Sequence, residues 1–133
     1  MNALDTNIYL YAHDTRDPDK RQTALELIRT ARPLGLLWQV GCEFVAASCR
    51  LDPQGFTPQM AWQSLDDMRE MADVVLLPEP NVWTLAHQLQ DLHSYHFWDA
   101  MIIAACLQQG IDTLYSEDLP GRQVTGLAIV NPF

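Results

Sequence analysis

"HFWDAMIIAACLQQG", residues 96–110, is a helix-like apolar run that carries a single charge. Phe97, Trp98, Ala100, Met101, Ile102, Ile103, Ala104, Ala105, Cys106 and Leu107 leave almost no polar face. That pattern predicts a helix buried nearly all round, closed by Gly110. Within it Asp99 stands alone. An ionised carboxylate in apolar surroundings is costly unless it is paired, hydrogen-bonded or bound to a metal.

Working outward from this helix, strands and helices alternate. "EPNVWTLAHQLQDLHSY" reads as a helix before it and "DTLYS" as a strand after it, with "LAIV" as the last strand. Upstream, "DVVLLP" is a strand, and "FTPQMAWQSLDDMREMA" is a helix capped at Thr57 with Pro58 at its first position. "VGCEFVAASCRL" reads as a helix and "LGLLWQ" as a buried strand. "DPDKRQTALELIRTARP" is a helix capped by Asp17, with Pro18 next and Ala24, Leu25, Leu27 and Ile28 on one face. The short apolar start "NALD" leads into a helix that opens at Thr6. Strands alternating with helices of ten or more residues imply a parallel sheet covered on both faces.

A chain of 133 residues is expected to form one domain, with a core that needs neither disulfides nor a structural metal. Apolar stretches break off before the length a membrane span needs. "MNALDTNIYLYAHD" has acid inside its apolar part and no basic leader, unlike a secretory signal. Cys42, Cys49 and Cys106 form an odd set without C-x-x-C spacing, expected to be reduced core residues of a cytosolic protein. A net charge of −9 argues against a general nucleic-acid binder. Five of the eight cations, Arg16, Lys20, Arg21, Arg29 and Arg32, nevertheless fall in one short segment, which reads as a solvated helix face or a local basic edge.

The anomaly of Asp99 recurs. Asp5 ends the first strand in "ALDTNIYLYA", Glu43 lies alone in "LLWQVGCEFVAA", and Asp118 follows the strand "DTLYS" in "LYSEDLPG". Ligands of parallel sheets bind at the carboxyl ends of the strands, and Asp5 and Asp118 lie there. Each acid alone is also compatible with helix capping. Four together repel one another unless a cation holds them. Oxygen-only donors, with no His or Cys pattern beside them, favour Mg²⁺ or Mn²⁺ over zinc. A carboxylate-bound ion of this kind suits phosphodiester hydrolysis.

"LDTNIYLYA" with Asp5-Thr6-Asn7, the isolated Glu43, "FWDAMIIAA" with Asp99 and "LYSEDL" with Ser116 and Asp118 resemble the PIN-domain ribonucleases over essentially the whole chain. Length and the ending "LAIVNPF" resemble the VapC toxins of bacterial toxin–antitoxin pairs. The resemblance implies a single PIN domain over 1–133, an α/β/α sandwich with a central parallel β-sheet. It further implies a cytoplasmic, Mg²⁺- or Mn²⁺-dependent endoribonuclease that forms a homodimer and is blocked by a cognate antitoxin. Carried over residue by residue, Asp5 and Asp99 are the metal ligands, and Glu43 completes the site directly or through water. Asp118 is the fourth acid, with Glu117 beside it as a rival for that position. Thr6, Asn7 and Ser116 are orienting residues. Two other readings stand beside this one: a PIN nuclease of RNA processing without an antitoxin, and a catalytically silent binding module.

Arg50, seven residues after Glu43, shares a helix face with it and is a candidate contact for RNA phosphate or a surface arginine. His13, His87, His93 and His96 lack zinc-ligand spacing, and His93 and His96 read as helix-end or surface residues. Trp38, Trp62, Trp83 and Trp98 are expected as core or dimer contacts rather than base-stacking platforms.

Overall fold

A computed structural model describes residues 1–119 and 124–133. The chain opens with β1 (Asn2–Leu4), α1 (Thr6–His13) and α2 (Pro18–Thr30). It continues with β2 (Leu34–Leu37), α3 (Trp38–Ala47), a 3₁₀ segment (Ser48–Gln54), α4 (Pro58–Met71) and β3 (Val74–Leu76). The helical pair α5 (Val82–His93) and α6 (Phe97–Gln108) precedes β4 (Thr113–Tyr115) and β5 (Ala128–Val130). The strands form one sheet in the order β3-β2-β1-β4-β5. Every pairing is parallel, with Ala3 opposite Gly35 on one side and Leu114 on the other.

This order sets where a site can lie. From β1 the chain winds outward through β2 to β3, then returns across β1 to β4 and β5. Right-handed crossovers therefore put α1–α4 and α5–α6 on opposite faces, giving an α/β/α sandwich. The winding reverses between β1 and β4. At such a switch point the connections leave in opposite directions and open a crevice at the strands' carboxyl ends. Asp5 follows β1 directly, and the Asp5 N–H donates to the Tyr115 carbonyl at the end of β4 (2.9 Å).

The core gathers between the sheet and its helices. Leu4, Leu36, Leu37, Ile8, Phe44, Ile103 and Leu114 are fully buried. The Phe44 ring meets His13 and Phe56, with centroids 5.8 and 6.5 Å away, and burial pushes the His13 imidazole below its ordinary pKa. Asp17 caps α2 through the Lys20 N–H, and Thr57 caps α4 through the Met60 N–H, as their sequences predict. Asp14 ends α1, where its carboxylate accepts from Arg16 and Gln54. Among the described residues no helix is long and apolar enough to cross a membrane.

Several sequence readings are corrected. The strand at "LGLLWQ" ends at Leu37, and Trp38 and Gln39 open α3, which stops at Ala47 before the 3₁₀ turn. The helix at Asp99 is not buried all round: Phe97 and Trp98 in its first turn are exposed, and burial begins at Ala100. On α2, Ala24 and Ile28 are buried but Leu25 faces solvent. The two outer strands are only partly covered, with Val74, Val75 and Val130 exposed. Cys42 and Cys49 are exposed, leaving Cys106 as the buried thiol. All four tryptophans are exposed rather than core residues. The segment 16–32 forms no open basic edge. Arg16 pairs with Asp14, Lys20 with Glu117, Arg29 with Glu26 and Arg32 with Asp73, while Arg21 donates to the Ala12 carbonyl.

Candidate active site

A cleft of about 670 Å³ opens at the β1–β4 switch point. Asp5, Glu43, Asp99 and Asp118 all line it, with Thr6, Asn7, Arg50, Gln39, Trp38 and Trp98. Residues up to 113 positions apart in the chain meet because each sits where a strand ends or a helix begins. Asp5 is the N-cap of α1, Glu43 lies in the second turn of α3, Asp99 in the first turn of α6, and Asp118 follows β4. A carboxylate in the first turn of α6 faces the positive end of that helix dipole.

Asp5 combines the capping and the functional readings. Its Oδ1 accepts the Thr6 N–H (2.7 Å), which starts α1. Its Oδ2 accepts the hydroxyl of fully buried Ser116 (2.6 Å). Burial raises the Asp5 pKa above the ordinary carboxylate value. The bonds from Ser116 and Thr6 oppose that rise, and the charges of Glu43 and Asp118 reinforce it. The carboxylate is thus held in place but crowded by its own kind.

Neighbouring side chains fix Glu43 and Asp118. Thr6 Oγ1 donates to Glu43 Oε2 (2.8 Å) and Gln39 Nε2 to Glu43 Oε1 (2.6 Å). The Asn7 amide donates to Asp118. Glu117 turns away, held by Lys20 and the Tyr11 hydroxyl, so the cleft receives Asp118 and not its neighbour. Those two partners hold the Glu117 carboxyl below its usual range. Gln39 is the residue the sequence reading missed. Its signal was the four-residue spacing to Glu43, legible only once Trp38 and Gln39 are placed on a helix.

The donor set tests what ion would fit. It consists of carboxylate and amide oxygens, with no imidazole and with the exposed Cys42 thiol pushed above its ordinary pKa by burial and Glu43. Among the described residues no three His, Cys, Asp or Glu side chains gather tightly enough to hold an ion by themselves. Mg²⁺ usually keeps several waters and takes one or two protein carboxylates. A desolvated Asp5, beside the charges of Glu43 and Asp118, fits a hydrated hard cation of that kind.

Comparison with known proteins gives one family and several similar folds. The PIN domain family model matches residues 3–124. A toxin–antitoxin complex from Klebsiella pneumoniae contains a chain of similar fold, with TM-score 0.73 at 14% identity over 100% of this chain and 98% of that one. A VapC toxin of Mycobacterium tuberculosis, described as cleaving the sarcin–ricin loop, gives TM-score 0.66 at 18% identity over 86% and 87%. A VapBC complex from Rickettsia felis bound to a promoter DNA fragment gives 0.66 at 14% identity over 98% and 97%. No curated protein matches significantly in sequence.

Proposed function

The chain belongs to the PIN domain family, and on that premise we propose that it is a Mg²⁺- or Mn²⁺-dependent endoribonuclease, the toxin of a toxin–antitoxin pair. The observation that carries this reading is the single cleft in which Asp5, Glu43, Asp99 and Asp118 meet at the sheet's switch point. Asp5 and Asp99 would hold the ion, with Glu43 completing the site directly or through bound water and Asp118 as the fourth acid. When bound, such an ion activates water and stabilises charge on phosphate oxygens.

The chain's own residues supply position. Ser116 and the Thr6 N–H fix both oxygens of Asp5, the Thr6 hydroxyl fixes Glu43, and Asn7 fixes Asp118. Fixed carboxylates need no reorganisation as charge develops. Arg50, on the wall of the cleft, would take an RNA phosphate and offset part of the acidity around it.

An antitoxin partner is supported by a second, apolar groove of about 450 Å³. It is lined by Leu36, Trp62, Leu65 and Val75 and shares Trp38, Cys42 and Ala46 with the acid cleft. A segment with apolar anchors and a terminal Arg or Lys would complement both. Two of the similar structures are toxin–antitoxin complexes. We further read the 133 residues as a single PIN domain of a cytoplasmic protein that pairs as a homodimer, using exposed apolar residues such as Trp83 and Leu92.

The activity is tested on the purified chain with RNA containing loops and single-stranded segments. Cleavage is expected with Mg²⁺ or Mn²⁺ and should stop on adding EDTA. Cleavage indifferent to chelation would overturn the metal reading. Co-purification from cells carrying the native locus should recover a small neighbouring protein with a cationic, apolar C-terminal part. Recovery of no such protein would move the reading to an RNA-processing nuclease.

A further inference from the structure

We propose that Gln39 is a positioning residue that sets Glu43 against the turn carrying Asp99. The inference rests on the nuclease reading given above. One amide nitrogen of Gln39 donates twice: to Glu43 Oε1 (2.6 Å), one helical turn along α3, and to the Trp98 carbonyl (3.1 Å), the residue before Asp99. Gln39 therefore joins the second turn of α3 to the first turn of α6.

It also completes a continuous line of hydrogen bonds. From the Trp98 carbonyl the line passes through Gln39 to Glu43, from Glu43 Oε2 to the Thr6 hydroxyl, and from the Thr6 N–H to Asp5 and Ser116. Three acid-bearing elements, α1, α3 and α6, are thereby tied at fixed spacing. Gln39 is the link in this line that reaches α6.

The chemistry of the link suits this role. Glutamate has several rotatable bonds, so a carboxylate on α3 needs partners to hold one direction. A neutral amide orients it and leaves its charge for a cation. A Lys or Arg at position 39 would orient it and also neutralise it, competing with any ion. Gln39 is only partly exposed and lines the cleft, so its polar head sits where the acids meet.

The test compares Gln39→Leu with the parent, alone and in a Glu43→Gln background. Mn²⁺ affinity by titration calorimetry and kcat for RNA cleavage are both expected to fall about 10–100-fold, the loss typical of partners that orient metal-binding side chains. KM for RNA should stay near the parent value. In the Glu43→Gln background the same change should add nothing, because its target is already disabled. Gln39→Asn keeps an amide but is too short to span both acceptors, and it should fall with the Leu variant. Unchanged Mn²⁺ affinity in both variants, or an equal loss with and without Glu43, would overturn the assignment. A parent protein that binds no Mn²⁺ overturns the nuclease reading and this inference together, whereas an active, metal-binding parent with unaffected variants overturns this inference alone.

Discussion

Asp5→Asn is expected to lower RNA cleavage about 10²–10⁴-fold, the equivalent of several kcal/mol of transition-state stabilisation at about 1.4 kcal/mol per tenfold. The same change should leave the metal-free protein as stable as its parent, or more so. The Asn oxygen still accepts the Thr6 N–H, and the Ser116 hydroxyl turns to accept from the new amide. What disappears is a charge that burial and the neighbouring Glu43 and Asp118 disfavour. The sign follows from the raised pKa. Folded Asp5 keeps its proton to higher pH than the unfolded chain does, so the parent loses stability as pH rises from about 4 through the folded-state pKa. Asn has no such loss. The stability advantage of the variant should therefore be present at pH 7 and close below about pH 4. Urea unfolding at both pH values, with EDTA present, measures it. A variant that cleaves at the parent rate, or that melts far below it, would show Asp5 to be a structural cap only.

Phe44→Ala is expected to be the most damaging single change to stability, costing about 3–5 kcal/mol. The ring is fully buried, lies edge-on to Phe56, and contacts His13 at the end of α1. Its removal leaves a cavity between α1, α3 and the segment before α4, and those elements are braced by one another. Against a typical total stability of about 5–15 kcal/mol the loss is severe. In a chain of this size it should lower Tm by roughly 10–20 °C. Thermal unfolding measures it, and a fall of only a few degrees would mean that neighbouring side chains collapse into the space.

Much of this arrangement was legible in the sequence because it depends on local chemistry. Asp17-Pro18 and Thr57-Pro58 announce helix starts by capping, and Gly110 closes α6 at a φ of 68°. Asp5, Glu43, Asp99 and Asp118 were conspicuous because each interrupts apolar sequence, and all four line one cleft. The misreadings share a cause. Trp38 and Gln39 extend an apolar, strand-like run, and periodicity does not separate a short buried strand from a helix start. Assigning them to the strand hid the spacing between Gln39 and Glu43. The exposed tryptophans and cysteines reflect a one-way rule, since apolar residues fill the core but the core does not hold them all. Choosing Asp118 over Glu117 required Lys20 and Tyr11, about a hundred residues away along the chain and visible only in three dimensions.

The two indoles that line the acid cleft have a practical consequence. Trp38 and Trp98 are 54% and 61% exposed, and both line the cavity that the acids share. Indole emission shifts to shorter wavelength when water is displaced from the ring. A ligand that fills the cleft beside the carboxylates would displace water from these rings. The unlabelled protein thus carries its own optical gauge of occupancy, responsive to a nucleic acid or a peptide even when no bond is cut. Trp62 and Trp83 lie outside that cavity, so Phe replacements at 62 and 83 would leave the signal of the two cleft-lining indoles, of which Trp38 also borders the apolar groove.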